Sequence, residues 1–164
     1  VMDMTVEDNL ILRDFDRQPF SRNMVLDYRQ AEKRAREALD EYSIKTSGKS
    51  GIKTPVKLMS GGNQQKVILS REISEEAGLI VASQPTRGLD IGATRFVHET
   101  LLRQRDAGRC VLLISADLDE ILGVSDRVAV MYEGRIIGIL NRDEADVHKI
   151  GLLMGGIAKE AADE

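Results

Sequence analysis

Apolar positions along this chain recur first at helical spacing and then at strand spacing. Thr5 with Asp8 three residues on forms a capping box, predicting a short helix to about Leu12. Residues 13–27 are mixed, hold Pro19 and Asn23, and predict a loop. Tyr28, Ala31, Ala35, Ala38, Leu39 and Tyr42 then repeat at helical spacing over 28–42, with charged residues on the other faces. Residues 43–57 are polar, Gly-containing and include Pro55, which predicts a second loop. A further amphipathic helix is predicted from Asn63 to Glu76, burying Val67, Leu69, Ile73 and Ala77.

Beyond that helix the period shortens. Gly78–Ser83 is an apolar run suited to a strand buried on both faces. A helix follows from Ile91 to Arg105, with Phe96, Val97, Thr100 and Leu101 inward. A strand over 110–115 leads to a short helix at 117–122, started by Asp117, Asp119 and Glu120, which suit a helix N-terminus. Strands 127–132 and 135–140 flank Glu133-Gly134, a two-residue turn of the hairpin kind. Residues 143–158 form a helix with Val147, Ile150, Leu153 and Met154 on one face, weakened by Gly151, Gly155 and Gly156. The tail 158–164 is expected to fray. Strands interleaved with helices predict an α/β fold.

The bulk numbers narrow the class. A chain of 164 residues, 42 % apolar, can build one modest domain with a real core. A net charge of −4 and a pI near 5.3 argue against a nucleic-acid platform. No apolar run reaches the length of a membrane span, and the first residues lack the basic and apolar regions of a secretory signal. Cys110, the single cysteine, opens a predicted buried strand and is expected to be inert packing. His98 and His148 lack partners at metal-ligand spacing, so no metal site is expected in the chain itself.

The chemistry concentrates at Ser60-Gly61-Gly62-Asn63-Gln64-Gln65-Lys66, small residues running into a helix expected to start near Asn63. A helix N-terminus offers unpaired N–H groups and a partial positive charge, which suit an anion. Two glycines let a phosphate approach the backbone, and Ser60 adds a hydroxyl. On the loop alone, an ordinary Ser/Gly-capped helix is an equal reading. Gly48-Lys49-Ser50 imitates the end of a P-loop, but Ser43 stands where the first glycine belongs and a helix precedes it; it is a decoy.

The loop resembles the ABC-transporter signature motif L-S-G-G-Q, in its L-S-G-G-N-Q-Q-K form. Three further segments keep the family's order and spacing. Gln84-Pro85-Thr86-Arg87-Gly88-Leu89-Asp90 resembles D-E-P-T followed by a D-loop ending L-D. Ser115-Ala116-Asp117-Leu118-Asp119-Glu120 resembles the switch S-H-D-L-D-E, and Asp126–Ile136 resembles D-R-h-x-V-h-x-x-G-R-I. Asp3–Leu10 is similar to the L-T-V-x-E-N-L segment that follows the Q-loop, which would put the Walker A strand, its loop and the Q-loop upstream of residue 1. The chain is thus identified as a portion of an ABC ATPase domain. The resemblance implies a partial P-loop NTPase (RecA-like) fold: a helical signature subdomain over 1–77, the C-terminal half of the core over 78–142, and a C-terminal helix and tail over 143–164.

In that family two domains sandwich ATP head to tail. The resemblance implies that Ser60, Gly61 and Gly62 donate to the γ-phosphate of ATP held by the partner, with Asn63, Gln64 and Asp90 beside it. The chain's own Walker-side site departs from the pattern. Ser83 and Gln84 stand for the Asp-Glu pair, and Ala116 for the switch histidine. Serine brings no charge to the shell of Mg²⁺, glutamine cannot accept a proton, and alanine offers no contact. No catalytic residue is therefore expected here, and ATP with Mg²⁺ belongs to the full-length assembly.

Asn63–Lys66 and Pro85–Ala93 are most similar to tandem ATPases of bacterial sugar importers, and Ala82–Asp90 to the nucleoside branch. Implied partners are a second ABC ATPase domain in the same chain or a dimer, transmembrane permease subunits and, indirectly, a substrate-binding protein, at the cytoplasmic face of the membrane. An independently hydrolysing ABC ATPase is the alternative; a soluble DNA-repair ATPase is disfavoured by the acidic balance. In the family sheet the Walker A strand lies between the strands matching 110–115 and 127–132, so both should present open edges here.

Overall fold

The structure is a computed structural model describing residues 1–46, 48–73 and 77–157. It divides into two compact units, Val1–Ile80 with Pro85–Cys110, and Val81–Gln84 with Val111–Glu164.

The first unit is helical. Helix α1 (Val6–Ile11) begins at Thr5, whose hydroxyl accepts from the Asp8 N–H while the Asp8 carboxylate accepts from the Thr5 N–H, the predicted capping box. Helix α2 (Tyr28–Glu41) is capped by Asp27 and buries Ala31, Ala35 and Ala38. Alanine on that face lets α1 pack closely against it. Tyr28 stays exposed, in contrast to the periodicity. The predicted loop at 13–27 contains a small hairpin, β1 (Ser21–Arg22) with β2 (Val25–Leu26), turning through Asn23 and Met24 at φ of 51° and 61°. A two-residue ladder has no apolar alternation to betray it.

The predicted loop at 43–57 contains 3₁₀ turns at Gly48–Lys53 and Val56–Leu58. This segment is pinned by the chain's beginning: Val6 N–H donates to Thr54 O, Val56 N–H to Met4 O and Lys57 N–H to Met2 O, around a bridge between Thr5 and Pro55. Beside it the buried Glu7 carboxylate pairs with Lys53, holding the ammonium above the ordinary lysine range by hydrogen bonding.

Helix α3 (Gly61–Glu72) follows Ser60 and ends at Ile73; residues 74–76, where the sequence reading extended it, lie outside the described residues. Arg34 donates to Ser70 O at 2.8 Å and Arg13 to Glu72 O at 3.3 Å, so cations meet carbonyls at its C-terminal end. Helix α4 (Ile91–Asp106) buries Ala93, Val97, Thr100 and Leu101 and packs on α3.

Strands β3 (Leu79–Ser83) and β4 (Cys110–Ile114) form a two-stranded sheet. Cys110 N–H reaches Gly78 O, and Gln84 N–H reaches Ile114 O. The register rises along both strands, so they run parallel. The expectation of a strand buried on both faces fails: only Ala82 in β3 is buried, and Leu79 and Val81 are exposed. Among the described residues β3 pairs with β4 alone, which covers too little of it. Cys110 is likewise exposed, not core packing.

In the second unit, α5 (Leu118–Val124) is capped by Asp117, which accepts from the N–H groups of Asp119 and Glu120. Strands β5 (Arg127–Tyr132) and β6 (Arg135–Asn141) form an antiparallel hairpin. Glu133 and Gly134 turn it at φ of 46° and 78°, the left-handed pair such a turn demands. Val128, Val130 and Leu140 face Ile150 and Leu153 of α6 (Val147–Met154), with Ala145. Helix α6 is shorter than the predicted 143–158, because Asp146 caps it and Gly155 ends it; Val147 and Met154 are exposed. The tail from 158 lies outside the described residues.

Candidate functional site

The sequence-predicted residues fall in two places, one in each unit. In the first unit, Ser60 is the N-cap of α3, and the helix starts at Gly61, two residues earlier than expected. Gly61, Gly62 and Asn63 are therefore its first turn, and their N–H groups are among those that no helix can pair internally. Glycine lets the helix begin here while leaving the backbone bare on its outer side.

Each residue around that turn has a defined task. Ser60 makes no side-chain bond to the backbone amides of its helix; its Oγ accepts instead from the side chain of Asn63, Nδ2, at 2.9 Å. Asn63 Oδ1 accepts from the Lys45 N–H at 2.8 Å. The Gln64 side chain turns inward, donating to the carbonyls of Met59 at 3.0 Å and Val56 at 3.3 Å, so it braces the loop. Lys66 lies 4.4 Å over the Phe96 ring and donates to Ser43 O. Burial and then the nearby Lys45 push its ammonium below the usual lysine range, against the pull of Asp90.

Asp90 caps α4, its Oδ1 accepting from the Ala93 N–H at 2.8 Å. The α3–α4 contact brings it to the glycine turn: a Cβ placed on Gly62 would sit 3.8 Å from Asp90 Oδ2 and 2.7 Å from Ala93 Cβ. At Gly61 the same atom would meet only Leu89 Cδ2, at 3.8 Å. Hence Gly62 is required by helix packing whatever binds there, whereas Gly61 could carry a methyl group in ordinary contact with Leu89. Leu89 N–H closes on Thr86 O, and Gly88 at φ 74° turns the chain into Asp90. Ser60–Asn63 and Asp90 thus lie together while Gln64 points into the loop, and an anion reaching the turn would meet amides and a hydroxyl with the Asp90 carboxylate nearby.

In the second unit, Ser83 ends β3, exposed, and Gln84 follows at φ 48°, its N–H held by Ile114 O at 2.8 Å. That bond sets the turn after β3 beside the end of β4, two residues before Ala116, which is exposed. Asp117, the nearest acid in sequence, has an oxygen committed to two helix amides. A carboxylate able to hold a hard cation or take a proton is missing from positions 83, 84 and 116, so these residues do not fit Mg²⁺.

Sequence reasoning overlooked Lys45, Gln64 as a brace, Phe96 under Lys66, and Ala93. Ala93 had a signal, a small residue one turn into α4. Lys45 had none, because it reaches the site through its backbone.

No protein-family model matches the chain. It is 44 % identical over 162 residues to the guanosine import ATP-binding protein NupO of Bacillus subtilis, covering 99 % of this chain and 31 % of that protein. It is 42 % identical over 156 residues to the nucleoside import ATP-binding protein NupA of Lactococcus lactis, covering 95 % and 30 %. The chain therefore spans about a third of the length of these curated relatives. The ATP-binding cassette MJ1267 of an ABC transporter matches it with a TM-score of 0.72 at 21 % identity, over 95 % of this chain and 63 % of that one. The dimeric bacterial cassette MJ0796 matches at 0.68 and 20 %, over 87 % and 58 %. At such identities the structural likeness speaks for the fold alone.

Proposed function

Because this chain is part of an ATPase domain of the ABC transporter class, we propose that it serves an importer of nucleosides or simple sugars. In this reading its glycine turn closes over the γ-phosphate of ATP seated on a partner ATPase domain, and its own Walker-side site is degenerate. The carrying observation is the first turn of α3, where Gly61 puts no side chain over the backbone and the Ser60 side chain makes no capping bond. The importer names of the relatives support the transport side.

ATP bound on the partner supplies the γ-phosphoryl group. This chain supplies donors: first-turn amides, the Ser60 hydroxyl and the positive end of the helix. The dipole is worth about 0.3–2 kcal/mol and each charge-assisted bond about 1.5–3 kcal/mol. Such energies close an interface and perform no chemistry. With Ser83, Gln84 and Ala116 in place of acids and a histidine, the chain's own site lacks a base, a loss of about 10²–10⁴-fold in rate. Permease subunits, a membrane-peripheral position at the cytoplasmic face and an indirect substrate-binding protein complete the proposal. Among the described residues no helix is long and apolar enough to cross a membrane.

The test uses the complete ATPase. Removing the partner domain's catalytic acid should abolish phosphate release, and Ser83→Asp with Gln84→Glu should restore part of it. Turnover that survives the first change would instead identify the domain as independently hydrolysing.

A further inference from the structure

We infer that Asn63 is a positioning residue that aims the Ser60 hydroxyl outward and keeps it off the helix amides; this rests on the reading of the glycine turn as a phosphate clamp. A backbone N–H can only donate, so the 2.8 Å contact from Lys45 fixes Asn63 Oδ1 on that side. The amide NH₂ is thereby turned to Ser60, and it donates to Oγ at 2.9 Å.

Two consequences follow for Ser60. A serine at an N-cap ordinarily accepts from an amide of the first turn. Here its oxygen is engaged by Asn63 and makes no such bond, which leaves the first-turn amides for an incoming oxygen. With one lone pair of Oγ taken by Asn63, the hydroxyl keeps its proton and a second lone pair, and the exposed side chain can turn the proton toward an incoming acceptor. A phosphate is acceptor-only, so a hydroxyl held as donor is the form it needs. Lys45 contributes through its main chain, as the group that sets the amide of Asn63.

The experiment measures ATP turnover against ATP concentration in the complete transporter, for Ser60→Ala, Asn63→Ala, the double variant and Asn63→Gln. Alanine is a better helix former than asparagine, so the helix itself is preserved. Each single alanine variant should raise half-saturating ATP about tenfold, equivalent to about 1.4 kcal/mol. The double variant should be no worse than Ser60→Ala alone, because Asn63 acts through Ser60. Asn63→Gln, which keeps the amide, should recover part of the loss. Penalties that multiply to about 100-fold, or an Asn63→Ala protein with wild-type saturation, overturn the inference while leaving the clamp standing. A Ser60→Ala protein with unchanged saturation overturns the clamp reading and the inference together.

Discussion

Gly62 and Ala93 touch so closely that a methyl group on the glycine would lie 2.7 Å from the alanine Cβ, nearer than two carbons can stand. The contact joins α3 to α4 and sets Asp90 beside the glycine turn. It also separates two roles that the paired glycines hide. Gly62→Ala should destabilise the protein by about 1–3 kcal/mol through overpacking. Gly61→Ala should leave thermal unfolding unchanged or slightly raised, yet weaken ATP-driven closure. Equal unfolding temperatures for the two variants would remove the packing argument.

Asp90 caps α4, so its loss has a structural cost before any functional one. Asp90→Ala should cost about 1 kcal/mol in unfolding free energy. Asp90→Asn keeps a capping oxygen and should cost only a few tenths of a kcal/mol. A drop in turnover in the asparagine variant at full stability would then report the charge itself.

Lys53 contributes to the protein's alkaline limb. Its pairing with buried Glu7 raises its pKa above the ordinary 10.5, so the stabilisation is complete below that value. It is lost as pH rises through the raised folded-state pKa. Thermal unfolding followed from about pH 9 to 12 should fall in the wild type and fall less steeply in Lys53→Met, the remaining slope including buried Tyr42, whose phenol is held above its ordinary range by burial. The variant should also be less stable near neutrality, since a buried carboxylate loses its partner.

Ile150 is 2 % exposed at the centre of the second unit's core. Ile150→Ala should cost about 2–5 kcal/mol and release amide protection across β5 and β6 first. A uniform loss across both units would mean that they unfold as one.

Among the described residues β4 pairs only with β3, and β5 only with β6. Their unpaired edges are templates for another chain. The 164-residue chain on its own should therefore self-associate in sedimentation, or exchange amides rapidly over 124–142. A monodisperse monomer with slow exchange there contradicts this.

The local elements were legible because each is fixed by neighbours in sequence. Thr5 and Asp8 cap one another across three residues, Asp117 caps α5, and Glu133-Gly134 turns the hairpin. The Ser60–Lys66 motif was readable on the same ground. The small hairpin at 21–26 and the 3₁₀ turns at 48–58 escaped, because they are too short to show a period. Cys110 and β3 were misjudged for a different reason: an apolar run records what a strand could bury, while its neighbours decide what it does bury.

By itself, then, the sequence determined the order and rough extent of the longer helices and strands, the glycine turn, and the absence of acids at 83 and 84, since each is a property of adjacent residues. Only the tertiary structure decided that Gly62 is held by Ala93, that Gln64 braces the loop from within, and that the backbone of residue 45 reaches Asn63. The first and last of those contacts join positions far apart along the chain, and the Gln64 brace follows no helix or strand period, so local spacing carries no trace of them.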